Sequence, residues 1–270
     1  MVYSGDSYSR TGFHYNLTGL NSKKNPSTKN PLGNPSWPGK TSTGGANWVG
    51  YFGTKFNSTL TLLWNYASSG CVIDRAVVPP RLPKYLTFVD QVGFFNASIA
   101  NRPEYAPWTP ENSAVGIWFG INELGRTKYF PARNLTEVIP RMIESLGAQA
   151  QILHGIGLRN FAFLEIPPLG LVPGVRVLRD LDELKTGLYV STFNYHLRKM
   201  VKSFDETNSD TKVSLIPVED IFWDAVMRPE VYGAANSTCW SRQGRDCLWW
   251  DGFHPAQAIH SAIAHRVAEA

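Results

Sequence analysis

Five short apolar runs, at 1–3, 60–66, 113–119, 160–166 and 212–218, recur along the chain, and the stretches between them repeat apolar residues at helical spacing. The helical stretches carry Trp48, Tyr51, Phe52 and Phe56; Leu86, Val89, Val92, Phe94 and Phe95 within 82–99; and Leu135, Ile139, Met142, Ile143, Leu146 and Leu153, where Pro140 lies near enough to the start for the helix to continue. Two more follow, over 184–204 with Val190, Phe193, Leu197, Val201 and Phe204 on one face, and over 256–268. Strands apolar on both faces must be covered on both, and parallel strands need crossovers long enough to be helices. The pattern therefore predicts an α/β fold: one three-layer α/β/α domain over 1–270, with a central, mostly parallel five-stranded sheet and no internal repeat.

Composition narrows what such a domain does. With 270 residues and 43% apolar content the chain can bury a large core. Its formal charge of +4 is small, and its basic residues fall in short pairs such as Lys23-Lys24 and Arg198-Lys199, which argues against nucleic-acid binding. No apolar run approaches the ~18 residues of a membrane span. No Cys/His spacing resembles a metal site, so neither a metal nor a cofactor is predicted. Oligomeric state is not legible.

Secretion is expected, with any leader removed ahead of Met1. The acceptor pattern Asn-x-Ser/Thr occurs at Asn16, Asn57, Asn96, Asn134 and Asn236, as in a glycoprotein. Cys239 and Cys247 enclose a short loop that reads as disulfide-tied, the other reading being two free buried thiols. Cys71 is left as a small buried residue. Residues 10–46 are crowded with Gly, Pro, Ser, Thr and Asn and form a long surface excursion, in which Trp37 suggests a packed loop near a site.

Ligands of open α/β sheets bind beyond the carboxyl ends of the strands. Ser7, Gly70 and Asn122 follow the first, second and third predicted strands, which gathers a hydroxyl, a backbone N–H and a side-chain amide on one edge. Gly5-Asp6-Ser7 alone is ordinary turn and N-cap chemistry. Acyl transfer, however, needs this combination, because donors must meet the oxyanion of the tetrahedral intermediate. A serine also needs a base. His254, placed at the start of the last predicted helix, can serve, with Asp251 three residues earlier to hold its ring. The plainer alternative is that Asp251 caps the helix and His254 lies on the surface. His14, His154, His196, His260 and His265 lack such a partner pattern, and His260 and His265 read as helix-surface positions.

Gly5-Asp6-Ser7-Tyr8-Ser9, Asn65-Tyr66-Ala67-Ser68-Ser69-Gly70, Gly120-Ile121-Asn122-Glu123 and Asp251-Gly252-Phe253-His254 resemble, in order, the sequence blocks of the GDSL/SGNH hydrolases. The segments Trp37-Pro38-Gly39-Lys40-Thr41-Ser42 and Gly44-Gly45-Ala46-Asn47-Trp48 look like those of secreted fungal acetylesterases of carbohydrate esterase family 16. The resemblance implies a flavodoxin-like domain and a serine esterase acting on acetylated xylo-oligosaccharides and related plant-wall sugars. Ser7 would be the nucleophile, His254 the base and Asp251 its orienter. The Ser7 and Gly70 N–H groups and the Asn122 side chain would form the oxyanion hole, while Asp6 would only hold the turn. The third block usually ends in Asn-Asp, so Glu123 is a departure that bears on local turn geometry or a supporting contact. Two alternatives stand beside this reading: a lipase or lysophospholipase for longer acyl chains, and a non-catalytic glycan-binding protein on the same scaffold.

Overall fold

A computed structural model describes residues 1–127, 134–177 and 182–270. The chain enters on β1 (Val2–Gly5), all of it buried. Residues 10–46 then follow with one 3-10 turn at Tyr15–Leu17, before α1 (Trp48–Tyr51) and a π-helical turn at Phe52–Phe56. The remaining elements are β2 (Trp64–Asn65), α2 (Phe88–Ser98), β3 (Val115–Trp118), α3 (Ile121–Thr127), α4 (Leu135–Ile156), β4 (Asn160–Leu164), α5 (Pro173–Arg176), α6 (Glu183–Thr207), β5 (Lys212–Ile216), α7 (Glu219–Met227) and α8 (Gln257–Glu269).

All five strands run parallel, in the order β2-β1-β3-β4-β5. Helices α2, α4 and α6 pack together on one face, and α1, α7 and α8 on the other. Strand order reverses between β1 and β3, so the crevice outside their carboxyl ends is where a ligand has room to bind. Gly5 lies opposite Trp118 in the β1–β3 register, which sends the segments after both strands off the same edge. Beneath them the core is aromatic: Trp48 meets Tyr3 and Trp118 edge-on at 5.2 and 5.9 Å between ring centroids.

Several elements are shorter than their apolar runs. The run at 60–66 yields only β2, because the Leu63 N–H bonds the Pro31 carbonyl in the long excursion (2.9 Å) and Leu60 is exposed. The stretch 82–99 becomes helical only at Phe88. There the Thr87 hydroxyl accepts from the Asp90 N–H (3.2 Å) and the Asp90 carboxylate accepts back from the Thr87 N–H (2.8 Å), a capping box that closes the helix start. By contrast α4 runs through Pro140 and stops at Gly157, whose φ of +118° suits glycine. The excursion at 10–46 is organised by Asn34. Its side chain accepts from the His14 N–H (2.8 Å) and donates to the carbonyls of His14 and Lys24. Among the described residues no helix is long and apolar enough to cross a membrane.

Candidate active site

The position of Ser7 is set by what surrounds Gly5. The Gln91 side chain of α2 accepts from the Gly5 N–H (2.9 Å) and donates to the Gly5 carbonyl (2.8 Å), fixing the strand end from both sides. A side chain on Gly5 would collide with Ser9 Oγ and the Trp118 carbonyl, each within 2.9 Å of a Cβ. The chain then turns. The Asp6 carbonyl accepts from the N–H groups of Ser9 and Arg10, and Asp6 Oδ1 accepts from the Tyr8 N–H (2.9 Å).

Ser7 Oγ lies 2.8 Å from His254 Nε2, and His254 Nδ1 lies 2.8 Å from Asp251 Oδ1. The three-residue spacing works because the segment folds back on its own carboxylate: Asp251 Oδ1 also accepts from the N–H groups of Phe253 and His254, both at 2.9 Å. Burial alone would raise the Asp251 carboxyl, but the hydrogen bond and charge of His254 and these two N–H groups bring it down to about 2. An ionised Asp251 needs a donor, so Nδ1 carries the ring hydrogen and Nε2 is left to accept from the Ser7 hydroxyl. His254 precedes α8 by three residues, so it stands in the connecting turn and not at the helix start.

Three contacts hold this turn against the rest of the fold. The Tyr8 hydroxyl donates to the Phe253 carbonyl. The Gly174 N–H of α5 donates to the Gly252 carbonyl (2.6 Å), and the Phe253 ring occupies the space where Gly174 lacks a side chain. On the outer side a disulfide joins Cys239 to Cys247. The loop it closes carries Arg242, whose guanidinium stacks 4.0 Å over Trp250 and lies 3.5 Å from Asp251 Oδ2; Trp250 in turn sets its edge against His254.

The three expected donors converge from separate segments. Gly70 adopts φ of +75°, five residues past the end of β2 and not directly after it, with the Tyr85 ring against its Cα. Asn122 lies in the first turn of α3, where its Nδ2 is 2.9 Å from the Cys71 carbonyl and 3.1 Å from Asp6 Oδ2. Among the described residues the backbone N–H groups of Ser7 and Gly70 donate to no protein group, which leaves both for a ligand oxygen.

Sequence reasoning missed Gln91, the reach of Asp6 to Asn122, and the burial of Glu123. Gln91 had a signal, being a polar residue inside the apolar stripe of Phe88, Val92 and Phe95. One expectation is overturned: His260 is fully buried, on the face of α8 that holds Ile259, Ile263, Ala264 and Val267. Its Nδ1 accepts from the Trp48 N–H (3.3 Å), and burial, with the nearby His254, lowers its pKa to about 3, so it stays neutral. His265 is exposed beside Glu269, and His154 pairs with Asp210 where α4 leads into β4, on the sheet edge opposite Ser7. Asn16, Asn96 and Asn236 are exposed, and Asn57 and Asn134 partly so.

Two grooves of about 890 and 590 Å³ lie elsewhere, between α6 and α7 around Arg198, Glu219 and Trp223. Neither is lined by Ser7, Asp251, His254 or Asn122. The site is located by its converging chemistry at the switch point of the sheet. Among the described residues no three His, Cys, Asp or Glu side chains are grouped to hold a metal ion.

Known proteins resemble the chain in sequence and in fold. The model of the GDSL-like lipase/acylhydrolase family matches residues 2–267. An acetylesterase of Thermothelomyces thermophilus is 37% identical over 271 residues, covering 100% of this chain and 87% of that protein. A GDSL esterase/lipase of Arabidopsis thaliana is 25% identical over 75% of this chain and 65% of its own length. In fold, the chain is similar to an acetylxylan esterase from Geobacillus stearothermophilus, with a TM-score of 0.55 at 12% identity, covering 99% of this chain and 91% of that one.

Proposed function

Because the chain belongs to the GDSL-like lipase/acylhydrolase family, and is thereby a carboxylic ester hydrolase, we propose that it removes acetyl groups from carbohydrates through an acyl-enzyme on Ser7. The observation that carries this reading is the relay of two 2.8 Å contacts from Ser7 Oγ through His254 to Asp251. In it Ser7 Oγ attacks the acetyl carbonyl carbon as its proton passes to His254 Nε2. Asp251 stabilises the imidazolium. The carbonyl oxygen becomes an oxyanion facing the N–H groups of Ser7 and Gly70 and one N–H of Asn122, shared with its resting acceptor. Collapse expels the sugar alkoxide, which takes the proton from His254. Water, activated by the same nitrogen, then releases acetate and restores Ser7.

Preference for acetyl on a sugar rests on the full-length likeness to an acetylesterase. A secreted glycoprotein, folded as one domain over 1–270 with the excursion at 10–46 beside the site, is part of the same reading. It is supported by the disulfide and by solvent access at the five acceptor asparagines.

The test is Ser7→Ala and wild type on 4-nitrophenyl acetate, 4-nitrophenyl octanoate and acetylated xylo-oligosaccharides. Loss of all turnover in the variant, with wild type favouring the acetyl substrates, is expected. Full activity in Ser7→Ala would remove the acyl-enzyme, and preference for octanoate would move the protein to the long-chain lipases.

A further inference from the structure

Two carboxyl groups near Ser7 take no part in the chemistry just described, yet both are buried: Asp6 is 1% and Glu123 0% exposed. They flank two of the hole's donors in sequence, Asp6 preceding Ser7 and Glu123 following Asn122. In space each reaches a different segment. Asp6 Oδ2 accepts from Asn122 Nδ2 at 3.1 Å. Glu123 Oε1 accepts from the Ile73 N–H at 2.5 Å, three residues past Gly70, while Asn122 Nδ2 donates to the Cys71 carbonyl at 2.9 Å. Consecutive residues in the first turn of α3 thus grip alternate residues of the segment that carries Gly70, and Asp6 ties that same turn to the Ser7 turn.

We propose that Asp6 and Glu123 are positioning residues of the oxyanion hole, Asp6 orienting the Asn122 amide and Glu123 fixing the Gly70 segment against α3. The inference rests on the oxyanion role given above to Asn122 and Gly70. Its physical basis is preorganisation: donors from three separated segments stabilise an oxyanion only if they need not be rearranged when the charge develops. Acceptors on both sides of Asn122 Nδ2 leave one favourable amide orientation, since the reversed amide would set its oxygen against Asp6 Oδ2 and the Cys71 carbonyl. The Glu123 side chain spans from the first turn of α3 to Ile73. Glu123 Oε2 has no protein partner among the described residues. Burial pushes Glu123 up to about 8, with Asp6 adding to the rise, and a neutral carboxyl still accepts from Ile73 through its carbonyl oxygen.

The experiment measures kcat and KM on 4-nitrophenyl acetate for Asn122→Ala, Asp6→Asn, their double variant, Glu123→Ala and Glu123→Gln. Asn122→Ala comes first, because a wild-type rate there removes the hole reading itself, whatever Asp6 and Glu123 do. Given a loss there, Asp6→Asn should lower kcat by about 10–100-fold at unchanged KM, as expected when a buried donor loses its acceptor. The double variant should be no slower than Asn122→Ala, since Asp6 acts through that amide; additive losses would overturn the role. Glu123→Ala should lower kcat at unchanged KM, and Glu123→Gln, which keeps an acceptor for Ile73, should recover most of the rate. A wild-type rate in Glu123→Ala, or equal losses in both, would overturn the role of Glu123. If Asp6→Asn does not fold, the Glu123 pair decides the proposal.

Discussion

The two sides of Ser7 treat carboxyl groups in opposite ways. Toward His254, Asp251 lies partly open to solvent, accepts three hydrogen bonds on one oxygen, and is held down to about 2. Toward Asn122, Asp6 and Glu123 are sealed from water, and burial lifts them to about 7 and about 8 against the N–H donors they meet. The difference teaches that donor count and access to water, not the carboxyl itself, decide which acid is ionised at neutral pH. It also divides the labour. A permanently charged acid suits the partner of an imidazolium, and an acid close to neutrality suits the neighbourhood of a developing oxyanion, where a fixed negative charge would repel.

This contrast is broken most severely at Asp251. Asp251→Asn keeps the shape but removes the charge and favours the wrong ring tautomer, so kcat should fall by roughly 10⁴-fold in steady-state hydrolysis of 4-nitrophenyl acetate. On the other side Asn122→Ala should cost about 10²–10³-fold in the same assay, with KM little changed. Opening the disulfide loop acts on the Asp251 side through stability: Cys239→Ser with Cys247→Ser should lower unfolding free energy by about 2–3 kcal/mol in urea titration, from the chain entropy of a short loop.

The last test addresses the buried acids directly, and its effect at any one step of pH is small. A carboxyl raised on folding contributes stability that is complete below its unfolded pKa and is lost as pH rises through its folded one. For Glu123 that window runs from the ordinary value of 4.5 to about 8, and for Asp6 from 3.8 to about 7. Each group should cost about 1.4 kcal/mol per pH unit inside its window, roughly 2–4 °C in melting temperature for a chain of this size. Glu123→Gln should flatten the decline of melting temperature with pH between about 5 and 8; an unchanged slope would mean that Glu123 folds already ionised. The groups facing it are Asp6, Cys71 and Tyr189, and of these Asp6 titrates in the same range.

What could be read from the sequence followed the range of the interactions. Asp251 and His254 were legible because three residues separate them and one turn brings them together, and the five strands were legible because each lies within a short, mainly apolar run. The Gln91 clasp and the Asp6–Asn122 bond were not, because their partners lie 86 and 116 residues away and neither residue type announces a partner. His260 misled because a histidine on a helix is usually exposed, although its spacing from Ile263, Ala264 and Val267 marks the buried face. Helix α7 also escaped notice, though Ile221, Phe222, Ala225 and Val226 repeat at helical spacing in a stretch of only nine residues.

The Gln91 clasp has a consequence for how Ser7 is carried. At Gly5 the ladder toward the β2 side is only half kept: the Gly5 carbonyl still accepts from the Ser68 N–H (3.1 Å), but its N–H is received by the Gln91 side chain of α2 (2.9 Å), which also donates to that carbonyl. Ser7 therefore follows a strand end that is held by a helix side chain as well as by the sheet, so the setting of α2 is part of what places its hydroxyl. Glutamate in that seat could receive the Gly5 N–H but, when ionised, would set a bare oxygen against the Gly5 carbonyl, so an acid of the same shape keeps both bonds only in its protonated form.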